Sequence, residues 1–242
     1  MQAIQTKGLV RRYRNVTAVD GLDLKVRQGD LFALLGVNGA GKTTAIRMLS
    51  CLTVPTAGEA IVGGYSVVRE PDRVKAQIGV SPQETALAPN LTVKENLELI
   101  CGVYGFSKEK TKGKIRELAG AFGLESVLKR KAGKLSGGWQ RRVSIAMALI
   151  CEPKILFLDE PTLGLDVLAR YELWEVIGSL KGKITIILTT HYMEEAEALS
   201  DRIGIIKNGR LLAEGTAEEL KLRAGAEDFE KAFVTIIKER DV

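Results

Sequence analysis

The fold is decided by an apolar run and the loop that follows it: Leu31-Phe32-Ala33-Leu34-Leu35, then Gly36-Val37-Asn38-Gly39-Ala40-Gly41-Lys42-Thr43-Thr44. An apolar strand that leads into a glycine-rich turn ending in Gly-Lys-Thr is typical of a phosphate-binding loop. The glycines let successive backbone N–H groups point into one hollow that accepts anionic oxygens. A helical pattern follows from Ala45, so the positive end of a helix dipole faces the same hollow. The alternative, a tight turn that merely needs glycine, does not account for the complete pattern.

Two acids follow a second apolar run. Residues 154–159 read Lys-Ile-Leu-Phe-Leu-Asp, the pattern of a strand buried on both faces, and Glu160 comes next. In α/β sheets ligands bind at the carboxyl ends of the strands. Lys42 would reach the β- and γ-phosphates there, and Thr43 and Asp159 would hold Mg²⁺. Glu160 is then free to orient or deprotonate an attacking water. The alternative is a pair of solvated acids at a strand end.

A second candidate anion site begins at Ser136. The segment Leu135-Ser136-Gly137-Gly138-Trp139 precedes a helical apolar run over 143–150. Serine is a favourable N-cap, and the two glycines leave backbone N–H groups open at the start of the helix. A plain capped helix start is the alternative. It does not explain why one chain would carry two phosphate cradles far apart in sequence.

Composition limits the class of protein. The chain has 242 residues, of which 45% are hydrophobic, enough for one large domain. Its net charge of +5 comes without the concentrated basic tract of a dedicated nucleic-acid binder. Cys51, Cys101 and Cys151 lie far apart in apolar patterns and are predicted to be reduced packing residues of a cytosolic chain. No signal-peptide pattern and no apolar run of roughly 18–20 residues is present. The sequence therefore predicts a soluble chain whose membrane role, if any, is peripheral.

The character of the sequence changes beyond Gln83. Alternation of apolar and polar residues over 3–26 predicts an antiparallel sheet that is wet on one face. From Glu84 to Ile150 the spacing is helical instead, with an amphipathic helix over 108–122. Thr92 and Glu95 are placed as a capping box at the start of another helix.

The rest of the chain returns to strands. Residues 184–190 form a second buried strand pattern, and Asn208-Gly209 predicts a hairpin with a type I′ turn. The tail from 227 to 240 is amphipathic, and one face carries apolar side chains that favour core packing, with a dimer contact as the alternative: Phe229, Phe233, Ile236 and Ile237.

Taken in order, these motifs resemble the ATP-binding cassette of ABC transporters over essentially the whole chain. The residues that carry the resemblance are 36–44 (Walker A), Gln83 (Q-loop), 135–139 (signature), 155–159 (Walker B) with Glu160 as the catalytic carboxylate, 163–166 (D-loop), His191 (switch histidine) and Tyr13 (the aromatic that stacks on adenine). One departure is Trp139, where the commonest signature has Gln. It places in doubt only the contacts of that side chain near the ribose.

The resemblance implies a complete set of site residues, with ATP and Mg²⁺ as cofactors. The implied catalytic residues are Glu160, His191, Lys42 and Gln83, and the implied metal ligands are Thr43, Gln83 and Asp159. The implied nucleotide-binding residues are Tyr13, Gly36, Val37, Asn38, Gly39, Ala40, Gly41, Lys42, Thr43, Thr44, Ser136, Gly137, Gly138 and Asp166. His191, the single histidine of the chain, would otherwise be read as a structural residue at a strand end.

The resemblance also implies the architecture. The expected fold is α/β: a P-loop NTPase (RecA-like) core with a mainly parallel sheet, an N-terminal antiparallel β-subdomain and an inserted α-helical subdomain. One domain would cover 1–242. Residues 1–83 and 151–215 would form the core with its β-subdomain, 84–150 the helical subdomain and 216–242 a C-terminal helical tail.

The implied function is ATP binding and hydrolysis that drive transport. Two cassettes, most simply a homodimer, would sandwich two ATP molecules and act on a separate integral membrane permease. The chain would be cytoplasmic and peripheral on the inner face of the cell membrane. The segments 161–166, 190–196 and the end helix further resemble the ATPases of the ABC-2 exporter group, which implies export.

Two other functions compete with this interpretation. A soluble cassette ATPase that acts on nucleic acid or ribosomes is the main alternative. Such proteins usually carry two cassettes or a long coiled-coil insertion, whereas this sequence has one cassette and no sustained heptads; no nucleic-acid partner is therefore expected. A small-molecule kinase with the same phosphate loop would leave the signature segment unexplained.

Overall fold

The computed structural model of the chain describes residues 1–239. The strands, in chain order, are β1 (Gln2–Tyr13), β2 (Val16–Leu22), β3 (Lys25–Arg27), β4 (Leu31–Leu35), β5 (Ala57–Val62), β6 (Tyr65–Ser66), β7 (Ile78–Ser81), β8 (Ile155–Asp159), β9 (Thr185–Thr190), β10 (Arg202–Lys207) and β11 (Arg210–Gly215). The α-helices are α1 (Lys42–Leu49), α2 (Pro71–Lys75), α3 (Val93–Val103), α4 (Lys108–Phe122), α5 (Gly137–Ala148), α6 (Val167–Gly178), α7 (Met193–Leu199), α8 (Ala217–Ala224) and α9 (Phe229–Lys238). Residues 240–242, the end of the predicted tail, lie outside the described residues.

The main sheet has six strands in the order β11-β10-β4-β9-β8-β7. Its pairs are parallel except for β10 with β11. Every residue of β4, β8 and β9 is buried, as expected for parallel strands covered on both faces. The predicted mainly parallel core is confirmed.

The N-terminal strands form a second, antiparallel sheet. Strand β1 pairs with β2, β3 and β5, and β5 pairs with β6. Buried and exposed side chains alternate along the first part of β1, which follows from the two-residue period of a strand with one wet face. This sheet is the predicted β-subdomain.

The predicted helical insertion is present as α3, α4 and α5. The capping box at the start of α3 is confirmed, because Glu95 N–H donates to the Thr92 hydroxyl and Thr92 N–H donates to the Glu95 carboxylate. Leu97 and Phe122 of this insertion share one apolar cluster with Leu156 of the main sheet. The insertion therefore has no separate core, and its boundary as a subdomain stays a prediction.

The C-terminal part closes the other end of the sheet. Asn208 and Gly209 both have positive φ, at 50° and 76°, as a type I′ turn requires. In α9 the side chains of Phe229, Phe233 and Ile236 are buried in the cluster that covers β10. The shared apolar face of the tail is therefore core packing.

Two further sequence expectations concern thiols and membranes. Cys51, Cys101 and Cys151 are free thiols. Within residues 1–239, none of the helices has the length and hydrophobicity needed to cross a bilayer.

Candidate nucleotide site

Three groups of predicted site residues meet because three parallel strands end at one edge of the sheet. In the register of the sheet Leu35 lies beside Thr190, and Asp159 lies beside Thr189. The glycine-rich loop after β4, Glu160 after β8 and His191 after β9 therefore emerge side by side. This is the edge at which α/β proteins bind ligands.

Two glycines of the loop are required by its geometry. Gly41 has φ of +105°, and a Cβ there would lie 2.3 Å from the Ala18 carbonyl oxygen. A Cβ on Gly36 would lie 2.4 Å from the Ile206 carbonyl oxygen. The helix α1 then begins at Lys42 without a side-chain cap, so its first N–H groups are available to an anion.

The loop forms one wall of a cavity of about 360 Å³. The cavity brings the glycine-rich loop together with Gln83 and Glu160. Its lining residues are Ala18, Asn38, Gly39, Ala40, Gly41, Lys42, Thr43, Thr44, Gln83, Glu160 and Leu163.

Lys42 is almost completely buried, with 4% of its surface exposed. Its Nζ donates to the Gly36 carbonyl at 2.7 Å and to the Val37 carbonyl at 3.1 Å. It also forms an ion pair with Glu160 Oε1 at 3.1 Å. A phosphate in this loop will therefore compete with a carboxylate for the same ammonium group.

Glu160 is held from three directions. Its N–H donates to the Thr189 carbonyl at 3.1 Å and to the Thr189 hydroxyl at 3.0 Å. Its Oε2 lies 2.6 Å from His191 Nδ1, and its φ is +47°. A side-chain-bearing residue in the left-handed region is strained and is typical of functional sites. The carboxylate is thus fixed between Lys42 and His191.

Asp159 has the surroundings of a magnesium ligand. It is 4% exposed, and its Oδ1 accepts from the Thr43 hydroxyl at 3.1 Å and from the Thr189 hydroxyl at 2.6 Å. A carboxylate and a hydroxyl side by side are hard oxygen donors of the kind Mg²⁺ prefers. Few protein ligands are needed when phosphates and water complete the octahedron. The residues present therefore fit this ion.

The second cradle lies apart from this cavity. Ser136 and Gly137 are exposed at the start of α5. An added Cβ on Gly137 would contact Leu165 at 3.4 Å, and one on Gly138 would contact Ala169 at 3.1 Å. Ser136 occupies the predicted N-cap position, but its hydroxyl forms no capping hydrogen bond. The cradle thus faces outward beside the start of α6.

Three other residues named from the sequence have local contacts. Asp166 caps α6 by accepting from the Ala169 N–H at 2.9 Å. Tyr13 ends β1, and the Arg11 guanidinium lies 4.5 Å from its ring centroid. Trp139 packs against the main apolar cluster. Neither Asp166 nor Tyr13 lines the cavity, so their roles in nucleotide binding stay predictions.

Sequence reasoning missed Thr189 and Arg141. Thr189 positions both acids, and its place at the end of the buried strand next to Asp159 was a usable signal. Arg141 donates to the backbone of the Q-loop. It stands inside an amphipathic helix, where the sequence gives no reason to separate it from the neighbouring Arg142.

A P-loop at the edge of a parallel sheet, with a buried carboxylate pair beside it, defines a nucleoside-triphosphate-binding class of protein. Residues 19–163 match the family described as "ABC transporter". The doxorubicin resistance ATP-binding protein DrrA of Mycobacterium tuberculosis is 45% identical over 92% of this chain and 68% of its own length.

Solved structures agree. "Structure of ATP binding subunit of ABC transporter" superposes with a TM-score of 0.85 and 31% identity, over 97% of this chain and 99% of that one. The dimeric, post-hydrolysis ATP-binding cassette MJ0796 bound to ADP and Pi has a TM-score of 0.79 and 28% identity, over 88% and 98%.

The chain belongs to the ABC transporter family. It is an ATP-binding and ATP-hydrolysing transporter subunit, which decides against the nucleic-acid alternative.

Proposed function

We propose that two copies of this chain close around two ATP molecules. Each site would take its P-loop from one copy and Ser136–Gly138 from the other. The observation that carries the proposal is the separation of the two anion cradles: one lines the cavity at Lys42, and the other is exposed at the start of α5. The solved relative MJ0796 is described as a dimer.

Within each site the side chains have distinct tasks. Lys42 and the N–H groups of the loop bind phosphate oxygens, since they are the concentrated positive end of the cavity. Glu160 orients and deprotonates the attacking water, and His191 fixes the Glu160 carboxylate through the 2.6 Å contact. Tyr13 and Asp166 complete the nucleotide contacts.

Magnesium would be held by Thr43 and Asp159, and Gln83 lines a second, adjoining cavity together with both of them. When bound it neutralises charge on the β- and γ-phosphates. The short contacts among Thr43, Asp159 and Thr189 fix where the carboxylate points.

The transport role is export. The relative DrrA is named for doxorubicin resistance, and resistance of this kind is consistent with outward transport. In this proposal the dimer lies at the inner face of the membrane and acts on a separate permease, which selects the substrate.

Glu160→Gln tests the dimer. The amide keeps the shape of the side chain but cannot act as a base, so we expect hydrolysis to slow by about 10²–10⁴-fold. ATP will then hold closed dimers. Size-exclusion chromatography with light scattering should give about twice the 26.3 kDa of one chain with ATP, and monomers with ADP.

Glu59→Gln is the matched control, because Glu59 is an exposed carboxylate on β5 that pairs with Arg69 at 3.8 Å. It should hydrolyse ATP at the unsubstituted rate. If Glu160→Gln stays monomeric at saturating ATP, the composite site is wrong.

A further inference from the structure

Helix α5, which begins at the signature cradle, packs unusually closely on strand β7. A Cβ added to Gly79 would lie 2.2 Å from the Ala148 carbonyl oxygen. The hydroxyls of Ser81 and Ser144 are hydrogen-bonded at 2.9 Å, both buried. Residues 141, 144 and 148 are three and four apart and so share one face of the helix. Besides the contacts of Ala148 with Gly79 and of Ser144 with Ser81, this face of α5 makes a third contact through Arg141.

Arg141 reaches the chain just beyond β7. Its Nη1 donates to the Pro82 carbonyl at 2.6 Å, and its Nη2 donates to the Gln83 carbonyl at 2.5 Å. Only 4% of its surface is exposed. The planar fork of a guanidinium can span two adjacent carbonyls, which a lysine ammonium on its flexible stem cannot do as well. Arg141 therefore fixes the backbone on which the Gln83 side chain is mounted.

The charge of Arg141 is supported by a nearby carboxylate. Burial lowers the pKa of Arg141, whereas Asp159 opposes that shift. An arginine stays protonated in proteins, so both contacts are charge-assisted and stronger than neutral hydrogen bonds. This makes the connection between α5 and the Q-loop a stiff one.

The two ends of this connection lie at different phosphate sites. Gln83 lines the cavity of its own P-loop. Gly137, four residues before Arg141 and about 6 Å away along the helix axis, belongs to the exposed cradle. A shift of the start of α5 would therefore be carried to Gln83 through one side chain.

We propose that Arg141 is a positioning residue that couples the two phosphate sites of the dimer. Occupation of Ser136–Gly138 by the ATP of one site would set the position of Gln83 in the other. This inference rests on the proposed dimer. The competing explanation is that Arg141 only stabilises the packing of α5.

The test is a double-mutant cycle on kcat between Arg141→Met and Gln83→Ala. If Arg141 acts through Gln83, we expect Arg141→Met to lower kcat about tenfold in the wild-type background. In the Gln83→Ala background it should lower kcat by less than about twofold, since coupled residues are not additive. ATP affinity of the single subunit should change no more in Arg141→Met than in Gln83→Ala, because Arg141 reaches the P-loop cavity only through Gln83 in this proposal.

Arg142→Met is the matched control. Arg142 has the same side chain on the same helix, but it binds Glu172 at 2.5 Å and approaches the Phe122 carbonyl at 3.5 Å. Its loss in kcat, whatever its size, should be the same with and without Gln83. If Arg141→Met does not fold, Arg141→Lys replaces it, because it keeps the charge and loses the fork.

Additive losses for Arg141 and Gln83, or a Gln83→Ala variant with unchanged kcat, would overturn the inference. The Glu160→Gln dimer assay separates failure of this inference from failure of the proposed function. Without ATP-dependent dimers the proposed function itself is wrong. With dimers and additive losses, only the coupling through Arg141 is wrong.

Discussion

Glu195 is a buried acid that the proposed mechanism does not use. Its side chain is fully buried, and Oε1 accepts from Trp174 Nε1 at 3.0 Å. Burial raises the pKa of Glu195 above its ordinary value of 4.5, and the hydrogen bond from Trp174 only partly offsets this. At a pH between the pKa values of the unfolded and folded states, the folded chain therefore keeps a proton on Glu195 that the unfolded chain has lost.

This linkage has a definite sign. Above about pH 4.5 the folded state binds more protons at Glu195 than the unfolded state does, so stability falls as the pH rises towards the folded pKa. We expect Glu195→Gln, which keeps an acceptor for Trp174 and carries no charge, to be more stable by on the order of 1 kcal/mol near neutral pH. The gain should disappear below about pH 4.5.

Urea unfolding from about pH 4 to 8 measures this difference. Glu194→Gln is the control, since its carboxylate is 80% exposed and should leave the pH profile unchanged. A Glu195→Gln variant with the pH dependence of the unsubstituted chain would show that the carboxylate is not protonated in the folded state.

At the scale of elements, the contact between α5 and β7 fixes how closely the helix packs against the sheet beside the nucleotide site. Gly79 is the residue at which the helix backbone comes closest to the strand, with only 2.2 Å from an added Cβ to the Ala148 oxygen. We expect Gly79→Ala to destabilise the fold by about 1–3 kcal/mol, because the backbone of α5 would have to move.

Gly113→Ala is the matched substitution elsewhere. Gly113 lies inside α4, and its added Cβ would meet nothing within 4 Å. Alanine should stabilise that helix by about 0.5–1 kcal/mol. Thermal or urea unfolding of both variants should therefore give opposite signs, and a loss of stability in both would contradict the packing argument.

Elements were predictable from the sequence to the extent that their signals are local. Helix α4 has the predicted bounds of 108–122, and the Asn208-Gly209 turn has the predicted conformation. The glycine-rich loop carried its function in its own residues. Other contacts join residues that are far apart in sequence. Arg141 and Gln83 are 58 residues apart, and Lys42 and Glu160 are separated by still more. Periodicity and spacing say nothing about such pairs, which depend on how the sheet and helices pack.

For the whole molecule, the proposed dimer makes the exposed cradle the part of the nucleotide site that a second copy must complete. Ser136 is exposed, and its hydroxyl forms no capping bond. Aspartate is as good an N-cap as serine and suits the positive end of a helix, so Ser136→Asp should fold normally. Its charge would repel a phosphate presented by a second copy.

Combined with Glu160→Gln, we expect Ser136→Asp to abolish the ATP-dependent dimer, because like charges placed opposite each other at an interface cost several kcal/mol. Each monomer should still bind ATP at its own P-loop with unchanged affinity. Light scattering and fluorescence titration measure the two properties separately. Ser136→Asn, of the same size and uncharged, should still dimerise; equal dimerisation of both variants would contradict the shared site.

The ion pair between Lys42 and Glu160 makes the proposed catalytic base an internal competitor of the nucleotide. Each ATP that enters the loop must take the ammonium group away from a carboxylate 3.1 Å from it, and that exchange lowers the apparent affinity. Glu160→Gln removes the competitor as well as the base, so tighter ATP binding in this variant has two causes. If Glu160 is the catalytic base as proposed, the same carboxylate both promotes hydrolysis of the bound ATP and lowers the affinity for the next ATP.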